Sequence, residues 1–420
     1  MVNRREFFHK AGIAFGSIPF WMGILPENLV AKIPSNVEIT DVKTFIVEHL
    51  VFVKIYTNVG VTGLGEASIT NGGLERAVEG AIQDRAHILI GRDPTDIEFL
   101  WQALFRWPRT RGGTLDVSAI SGIDIALWDI LGKLLDVPVY QLMGGKARTR
   151  SRMYAHCNSA STPEQMREML PPLLDEGFKV IRMGPNWGNF RTFTRPHNLS
   201  EAVALTEAMR EIVGENIDII VDAHGYLTTN MAMEYAKAVE PYRLLFLEDP
   251  VVQENMSGLK YIQEHTTTPL HIGESNSSKF GFFKEIIFNR LASGVRPDVV
   301  HAGGLTESKK ICAMAEANFM DVSLHAGYSS VADFAATHLA LTAPNCIVQE
   351  LASRRKTGNS AWLLDLFNGD DITIIDGYAQ VPEKPGLGCD LNEEVAAQHP
   401  HVGGQSQPHT IYEDGSVSDW

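Results

Sequence analysis

IDIIVDAHG (217–225), RLLFLEDP (243–250), PLHIGES (269–275), RPDVVHAGG (296–304), DVSLHAG (321–327) and NCIVQE (345–350) are short apolar runs, each followed by a helically patterned stretch. FKVIRMG (178–184) begins the series. A polar residue closes each of the six later runs: Asp222, Glu248, Glu274, Asp298, His325 and Glu350, at intervals of 26, 26, 24, 27 and 25 residues. A strand–helix period this constant is what a (β/α)8 barrel requires. A doubly wound sheet shares the alternation but does not place a charged or ionisable residue at the same end of six consecutive strands. Barrel active sites lie at the C-terminal ends of the strands, so the six side chains are expected at one mouth.

Working outward, Val37 to Ser68 alternates and is punctuated by glycine, which predicts antiparallel strands with turns near Gly60, Gly63 and Gly65. Helices are expected over 74–90, 96–105 and 115–135, the last with Ile120, Ile123, Ala126, Leu127, Ile130 and Leu134 on one stripe. The fold class is therefore an α+β capping domain (36–150) followed by a TIM-type barrel of seven or eight β/α units (151–375). WGNFRTFTRPHN (187–198) reads as a loop inserted after the second barrel strand. Residues 376–420 form a C-terminal segment expected to pack back on the capping domain.

Residues 1–30 read as an export signal. Asn3-Arg4-Arg5-Glu6-Phe7-Phe8-His9-Lys10 precedes the apolar stretch Ala11 to Leu25, which is short for a membrane span. The Arg pair resembles the twin-arginine signal, so a periplasmic location is expected, with the segment cleaved or kept as an anchor. An amphipathic N-terminal helix with a chance Arg pair is the alternative.

The 420 residues carry 36 Lys+Arg against 51 Asp+Glu, a formal charge of −15, which gives no general attraction for nucleic acid or anionic lipid. Cys157, Cys312, Cys346 and Cys389 stand far apart without a CxxC pair, as buried apolar residues do. The expected partners are a small acidic substrate and further copies of this chain. Neither nucleic acid nor a stable membrane span is expected.

Asp222, Glu248 and Glu274 offer three carboxylates on adjacent strands with no cation interleaved in the sequence pattern. Carboxylates that close cannot all stay ionised unaided, and an oxygen-only set selects Mg2+ over zinc. Helix capping is the alternative for each one singly. His224, two residues after Asp222, is expected to point the same way along the strand. His325 ends a strand beside the one ending in Asp298, and a carboxylate beside a histidine fixes its tautomer and raises its basicity. His301 reads as a supporting residue one step off the active parity. Lys179 and Arg182 lie on opposite faces of the second strand, so one at most enters the mouth, with Arg182 nearer its C-terminal end. Arg182, Lys179 and Glu350 are the candidate substrate contacts. A solvated Lys/Arg pair is the alternative for the two cations.

These motifs, with SAISGIDIALWDILGK (118–133), RPDVVHAGGLTESKKICAMAEA (296–317) and PGLG (385–388), resemble the enolase superfamily in its mandelate racemase/muconate lactonizing branch, from Val37 to about Glu394. The resemblance implies Mg2+ on Asp222, Glu248 and Glu274, and abstraction of the proton α to a substrate carboxylate. The Asp222/His224 and His325/Asp298 pairs look like the galactonate type of acid-sugar dehydratase. There, the residue matching His325 takes the C2 proton and that matching His224 protonates the departing C3 hydroxyl. The racemase Lys-x-Lys is absent. The sequence departs from that type after the base, where it reads His325-Ala326-Gly327-Tyr328-Ser329-Ser330, and this alters the pocket wall. An epimerase or cycloisomerase on the same intermediate remains open, as does a non-catalytic sugar-acid binder. A metal-dependent hydrolase would begin with a His-x-His that this chain lacks.

Overall fold

The computed structural model describes residues 33–34, 36–69, 73–157, 160–185, 195–351, 362–403 and 414–417. The export segment read at 1–30 lies outside them, as does most of the inserted loop. The final four residues of that loop reading, Arg195 to Asn198, open a helix, Arg195–Val213.

Three antiparallel strands, β1 (Ile39–Val47), β2 (Leu50–Thr57) and β3 (Thr62–Glu66), start the fold in the order β1-β2-β3. The two-residue period sorts their side chains between two cores. Val51, Val53 and Ile55 pack with the capping helices, while Phe52 and Leu64 join the barrel's core. Of the three glycines expected in turns, only Gly60, at φ +80°, occupies one. Gly63 and Gly65 lie inside β3, where a Cβ would collide with the backbone carbonyls of Ala126 and Gly122. Their task is close approach: the strand lies directly on the helix Thr114–Leu135.

The helix expected over 74–90 is two, Glu75–Gln83 and Ala86–Leu89, because the chain bends at Asp84–Arg85 and turns Arg85 inward onto Asp116. Helix Thr114–Leu135 is buried on its polar side as well as on its apolar stripe. Ser118, Ser121 and Asp124 are all buried and face the barrel. Gly303 donates its N–H to Ser121 Oγ at 3.0 Å, and Thr306 donates to Asp124 Oδ2 at 3.0 Å. Trp101 and Trp128 indoles donate to Gly303 O and Thr306 Oγ1, each at 2.9 Å. The capping helices thus grip the turn before Gly304 and the first turn of the helix Gly304–Ala317.

After a short β4 (Ser151–Arg152), eight parallel strands follow in spatial and chain order: β5 (Ala155–His156), β6 (Val180–Met183), β7 (Asp218–Asp222), β8 (Phe246–Glu248), β9 (Leu270–Ile272), β10 (Gly294–Val295), β11 (Asp321–Leu324) and β12 (Cys346–Gln349). A bridge between Met153 and Gln349 joins the first strand to the last. The fold is an α+β cap on a TIM-type barrel. β13 (Ile374–Ile375) and β14 (Tyr378–Ala379) pair back onto β4. The chain then reaches the cap, where Leu387 N–H donates to Asp129 Oδ1 and Tyr56 O–H to Glu393. All four cysteines are free and buried. Among the described residues no helix is long and apolar enough to cross a membrane.

One further tie joins cap to barrel. Glu66, at the end of β3 and fully buried, accepts from Ser329 Oγ at 2.6 Å, Ala332 N–H at 3.0 Å and Ser68 Oγ at 2.7 Å. Burial pushes its carboxyl up to about 7, against the pull of those three donors. An acid whose folded pKa lies above its unfolded value stabilises the fold fully below the unfolded value and loses that contribution as pH rises through the folded one. The stability of the native protein relative to Glu66→Gln is therefore expected to fall between about pH 4.5 and 7, by on the order of 3 kcal/mol. Urea unfolding of both proteins at pH 5 and pH 8 measures it; a pH-independent difference would contradict it.

Candidate active site

Inside the barrel, Tyr154, Val180, Ile220, Phe246 and Val348 form a small apolar floor. Two residues further along the same five segments stand His156, Arg182, Asp222, Glu248 and Glu350. Strand alternation therefore lifts one polar side chain above each apolar one at the C-terminal mouth. Asp222 and Glu248 are register partners, as are His156 and Arg182. Glu274 follows β9 by two residues, and Asp298 and His325 form a backbone bridge beyond β10 and β11. Asp222, Glu248, Glu274, Asp298, His325 and Glu350 are all buried, as the sequence period required of one mouth.

The carboxylates are not without cations, contrary to the sequence pattern. Arg182 sits against Asp222 Oδ2 and reaches Glu248 Oε2 at 3.2 Å. Arg296, wholly buried, reaches Glu248 at 2.8 Å, Glu350 at 3.2 Å and Glu274 at 3.6 Å. Two guanidiniums still leave an excess of negative charge. Burial pushes Glu248 up to about 7 even with both arginines beside it. Burial likewise pushes Asp249 up to about 7, helped by the Glu274 charge. Ligand oxygens of Glu248, Asp249 and Glu274 lie within 4.8 Å of one another, and Glu274 Oε2 is buried without a hydrogen-bond partner. An all-oxygen set of this kind fits a hard divalent cation.

The histidines flank this cluster. His325 Nδ1 is held by Asp298 Oδ2, and its Nε2 faces Glu350 Oε2 at 3.4 Å and Glu274 Oε2 at 3.7 Å. Burial would lower its pKa, but the Glu350 and Glu274 charges and the Asp298 bond outweigh that and raise it to about 9. Glu274 answers in the opposite sense. Burial opposes its charge, yet His325, His224 and Arg296 hold it down to about 2. His224 Nδ1 lies 3.0 Å from Asp222 Oδ2, and its ring lines a cavity of about 220 Å³ with Asp249, Glu274 and Asn276.

Some expected placements change. His224 does converge on Asp222, but not by strand parity: β7 ends at Asp222, and His224 takes a left-handed φ of +47°. Lys179 is not at the mouth. It precedes β6 at the strand's N-terminal end and is exposed there, since the strand begins only at Val180. Arg182 and Glu350 do reach the mouth, each already engaged by protein charges. His301 lies in the turn after Asp298, bonded to Ser118 and Tyr328.

The sequence reading missed Asp249, Arg296 and His156. Asp249 follows Glu248 directly, so alternation sends it away, but φ +37° turns it back. Arg296 was counted at the start of a strand, RPDVV, whereas β10 ends at Val295 and leaves Arg296 at the mouth. His156 ends the first barrel strand, whose end the repeat did not define. It meets Glu350 Oε1 at 2.9 Å.

Comparison with known proteins agrees with this geometry. Residues 164–395 match the family described as "Enolase C-terminal domain-like", and residues 24–144 match "Mandelate racemase / muconate lactonizing enzyme, N-terminal domain". The chain belongs to the enolase superfamily, in the mandelate racemase/muconate lactonizing enzyme branch. Within that branch it is similar to the D-galactonate dehydratase of Pectobacterium atrosepticum, at 35% identity over 91% of this chain and 100% of the relative. The D-galactonate dehydratase of Cronobacter sakazakii is 36% identical over 88% and 96%. Among solved superfamily structures, an enolase from Pantoea ananatis with bound D-gluconate and magnesium superposes with a TM-score of 0.81 at 32% identity, covering 91% of this chain and 100% of that one.

Proposed function

We propose that this superfamily member is a magnesium-dependent hydro-lyase that dehydrates an aldonate, of the galactonate or gluconate class, to a 2-keto-3-deoxy acid. One observation carries the reading: a carboxylate cluster flanked by two imidazoles, each oriented by its own aspartate, His325 by Asp298 and His224 by Asp222. The relatives named dehydratases and the neighbour holding gluconate and magnesium support it.

Asp222, Glu248 and Glu274 are the proposed magnesium ligands, with Asp249 against them. Asp222 and Glu248 are register partners that both meet the Arg182 guanidinium, and with Glu274 they would hold the cation. Bound at these carboxylates, magnesium supplies positive charge beside the substrate carboxylate, where the electron pair released from C2 accumulates.

The protein's own groups handle the protons. Asp298 holds the Nδ1 proton of His325, which leaves Nε2 as the basic atom. Nε2 takes the C2 proton. His224 gives a proton to the C3 hydroxyl, which leaves as water, and the resulting enol ketonises at C2. Arg182 and Arg296 offset the remaining carboxylates and keep the mouth from expanding in their mutual repulsion.

Two experiments follow. In magnesium titrations by calorimetry, Asp222→Asn, Glu248→Gln and Glu274→Gln should each weaken binding about tenfold or more, and Asp249→Asn less. Unchanged affinity in Asp222→Asn with loss in Asp249→Asn would move the third ligand to Asp249. For the histidines, His325→Asn should stop both dehydration and exchange of the C2 proton with D2O. His224→Asn should slow dehydration about 10²–10⁴-fold yet retain exchange. Exchange surviving only in His325→Asn would reverse the two roles.

The chain is further proposed to be exported through the twin-arginine route, on the strength of Arg4 and Arg5. Replacing both by Lys should leave the protein in the cytoplasm on fractionation, and an unchanged distribution would count against it.

A further inference from the structure

The turn that follows β9 leaves one polar side chain unused. Asn276 donates its backbone N–H to Gly273 O at 3.1 Å, which closes the turn. Thr114 Oγ1, at the start of the capping helix, donates to Ser275 O at 2.9 Å and ties the turn to the cap. Neither bond involves the Asn276 side chain. Asn276 is only 8% exposed, yet among the described residues neither end of its amide has a hydrogen-bond partner. Neither end is enclosed, so the amide opens onto free space. That space is the cavity of about 220 Å³ beside His224 and Glu274. Gln253 brings a second amide to the same cavity, and its Oε1 is buried without a hydrogen-bond partner. A buried polar atom left unpaired costs the fold free energy that a guest able to pair with it recovers. Asn276 also lines a cavity of about 470 Å³ with Phe105, Arg106 and Arg111 of the cap, and it is the lining residue that the two cavities share.

The guest follows from where this cavity lies relative to the reaction. On the aldonate reading above, His325 faces C2 and His224 faces C3, and His224 is the histidine at the cavity's edge. The carbons beyond C3 have this space to enter, and they carry hydroxyl groups. A hydroxyl donates and accepts, and so does an amide, so the pairing holds with the Asn276 head turned either way. Resting on that reading, we infer that Asn276 is a substrate-binding residue that sets specificity: its amide holds a hydroxyl of the sugar chain beyond C3, with Thr114 as a positioning residue that fixes the turn from the cap. Once the bound chain has displaced water, an analogue lacking that hydroxyl leaves the amide unpaired and is rejected. The capping helix thereby takes part in substrate choice through Thr114.

The test is steady-state kinetics on an aldonate that is turned over and on its 4-, 5- and 6-deoxy analogues. Asn276→Ala should raise KM about 2- to 15-fold, the weight of one hydrogen bond, with kcat within about twofold. On one deoxy analogue the native and Ala proteins should share the same KM, which identifies the hydroxyl. Thr114→Val should raise KM by less, and Thr114→Ser should restore it. Unchanged KM in Asn276→Ala on every substrate, a fall in kcat alone, or no analogue on which the two proteins agree would overturn the inference. Magnesium affinity by calorimetry should stay within about twofold of native in Asn276→Ala. A loss as large as that in Glu274→Gln would make the amide a support of the metal and overturn the inference as well. A 3-deoxy aldonate, which has no C3 hydroxyl to lose, reads binding apart from chemistry. Its Kd, by calorimetry with magnesium, should rise in Asn276→Ala by the same factor as KM, and equal Kd in the two proteins would overturn the inference. Absence of turnover on all aldonates, with that difference in Kd still present, would instead overturn the dehydratase reading and leave Asn276 as a sugar-chain contact.

Discussion

Six carboxylates share one end of a closed barrel, and their mutual repulsion is the constraint around which the rest of the molecule is arranged. Asp222, Glu248, Glu274, Asp298 and Glu350 are buried, and Asp249 completes the group. Four of them are placed by the backbone: Asp222 and Glu248 by parallel register, Asp249 by the Gly273 N–H and Asp298 by the Val300 N–H. Arg182 and Arg296 compensate part of the charge and, being buried with their partners, cannot be removed singly without stranding a carboxylate. What remains uncompensated is an appetite for a divalent cation. The same excess charge, that of Glu350 first and Glu274 next, raises His325 to about 9 against the effect of burial.

The cap answers a different need. Barrel strands place groups at a mouth, but the loops that follow them have few partners of their own. Helix Thr114–Leu135 presents its buried polar side to Gly303 and to Thr306 at the start of the helix Gly304–Ala317, and Glu66 fastens the start of the helix Ser330–Thr342. Asp298 lies just before the first of these segments and His325 just before the second. The glycines at 63 and 65 make this possible by letting β3 lie on the helix backbone. Rigidity near the base therefore originates in a segment more than a hundred residues earlier in the chain.

Much of this was legible in the sequence because the barrel repeats one physical unit. A period near 25 residues with an acid or histidine at the same end of each run allows little else, and it located the six mouth residues. The failures have a common cause: alternation holds inside a strand and stops where the strand stops. His224 and Asp249 take left-handed φ just past β7 and β8, so parity misjudged the route of one and gave no sign of the other. β10 ends sooner than RPDVV suggested, which hid Arg296. β6 begins later than supposed, which made Lys179 seem nearer to the mouth than it is. Gly63 and Gly65 looked like turns because a glycine's two uses, positive φ and close approach, are indistinguishable until the neighbouring element is known.

The central claim is that the two histidines and the carboxylate cluster carry out an elimination. Its most direct test is the product itself: native enzyme with magnesium and D-galactonate or D-gluconate in D2O, followed by ¹H and ¹³C NMR. The account predicts a ketone carbon at C2, loss of the C3 hydroxyl and deuterium entering C3 as the enol ketonises. A product retaining every oxygen but inverted and deuterated at C2 would contradict it in favour of epimerisation.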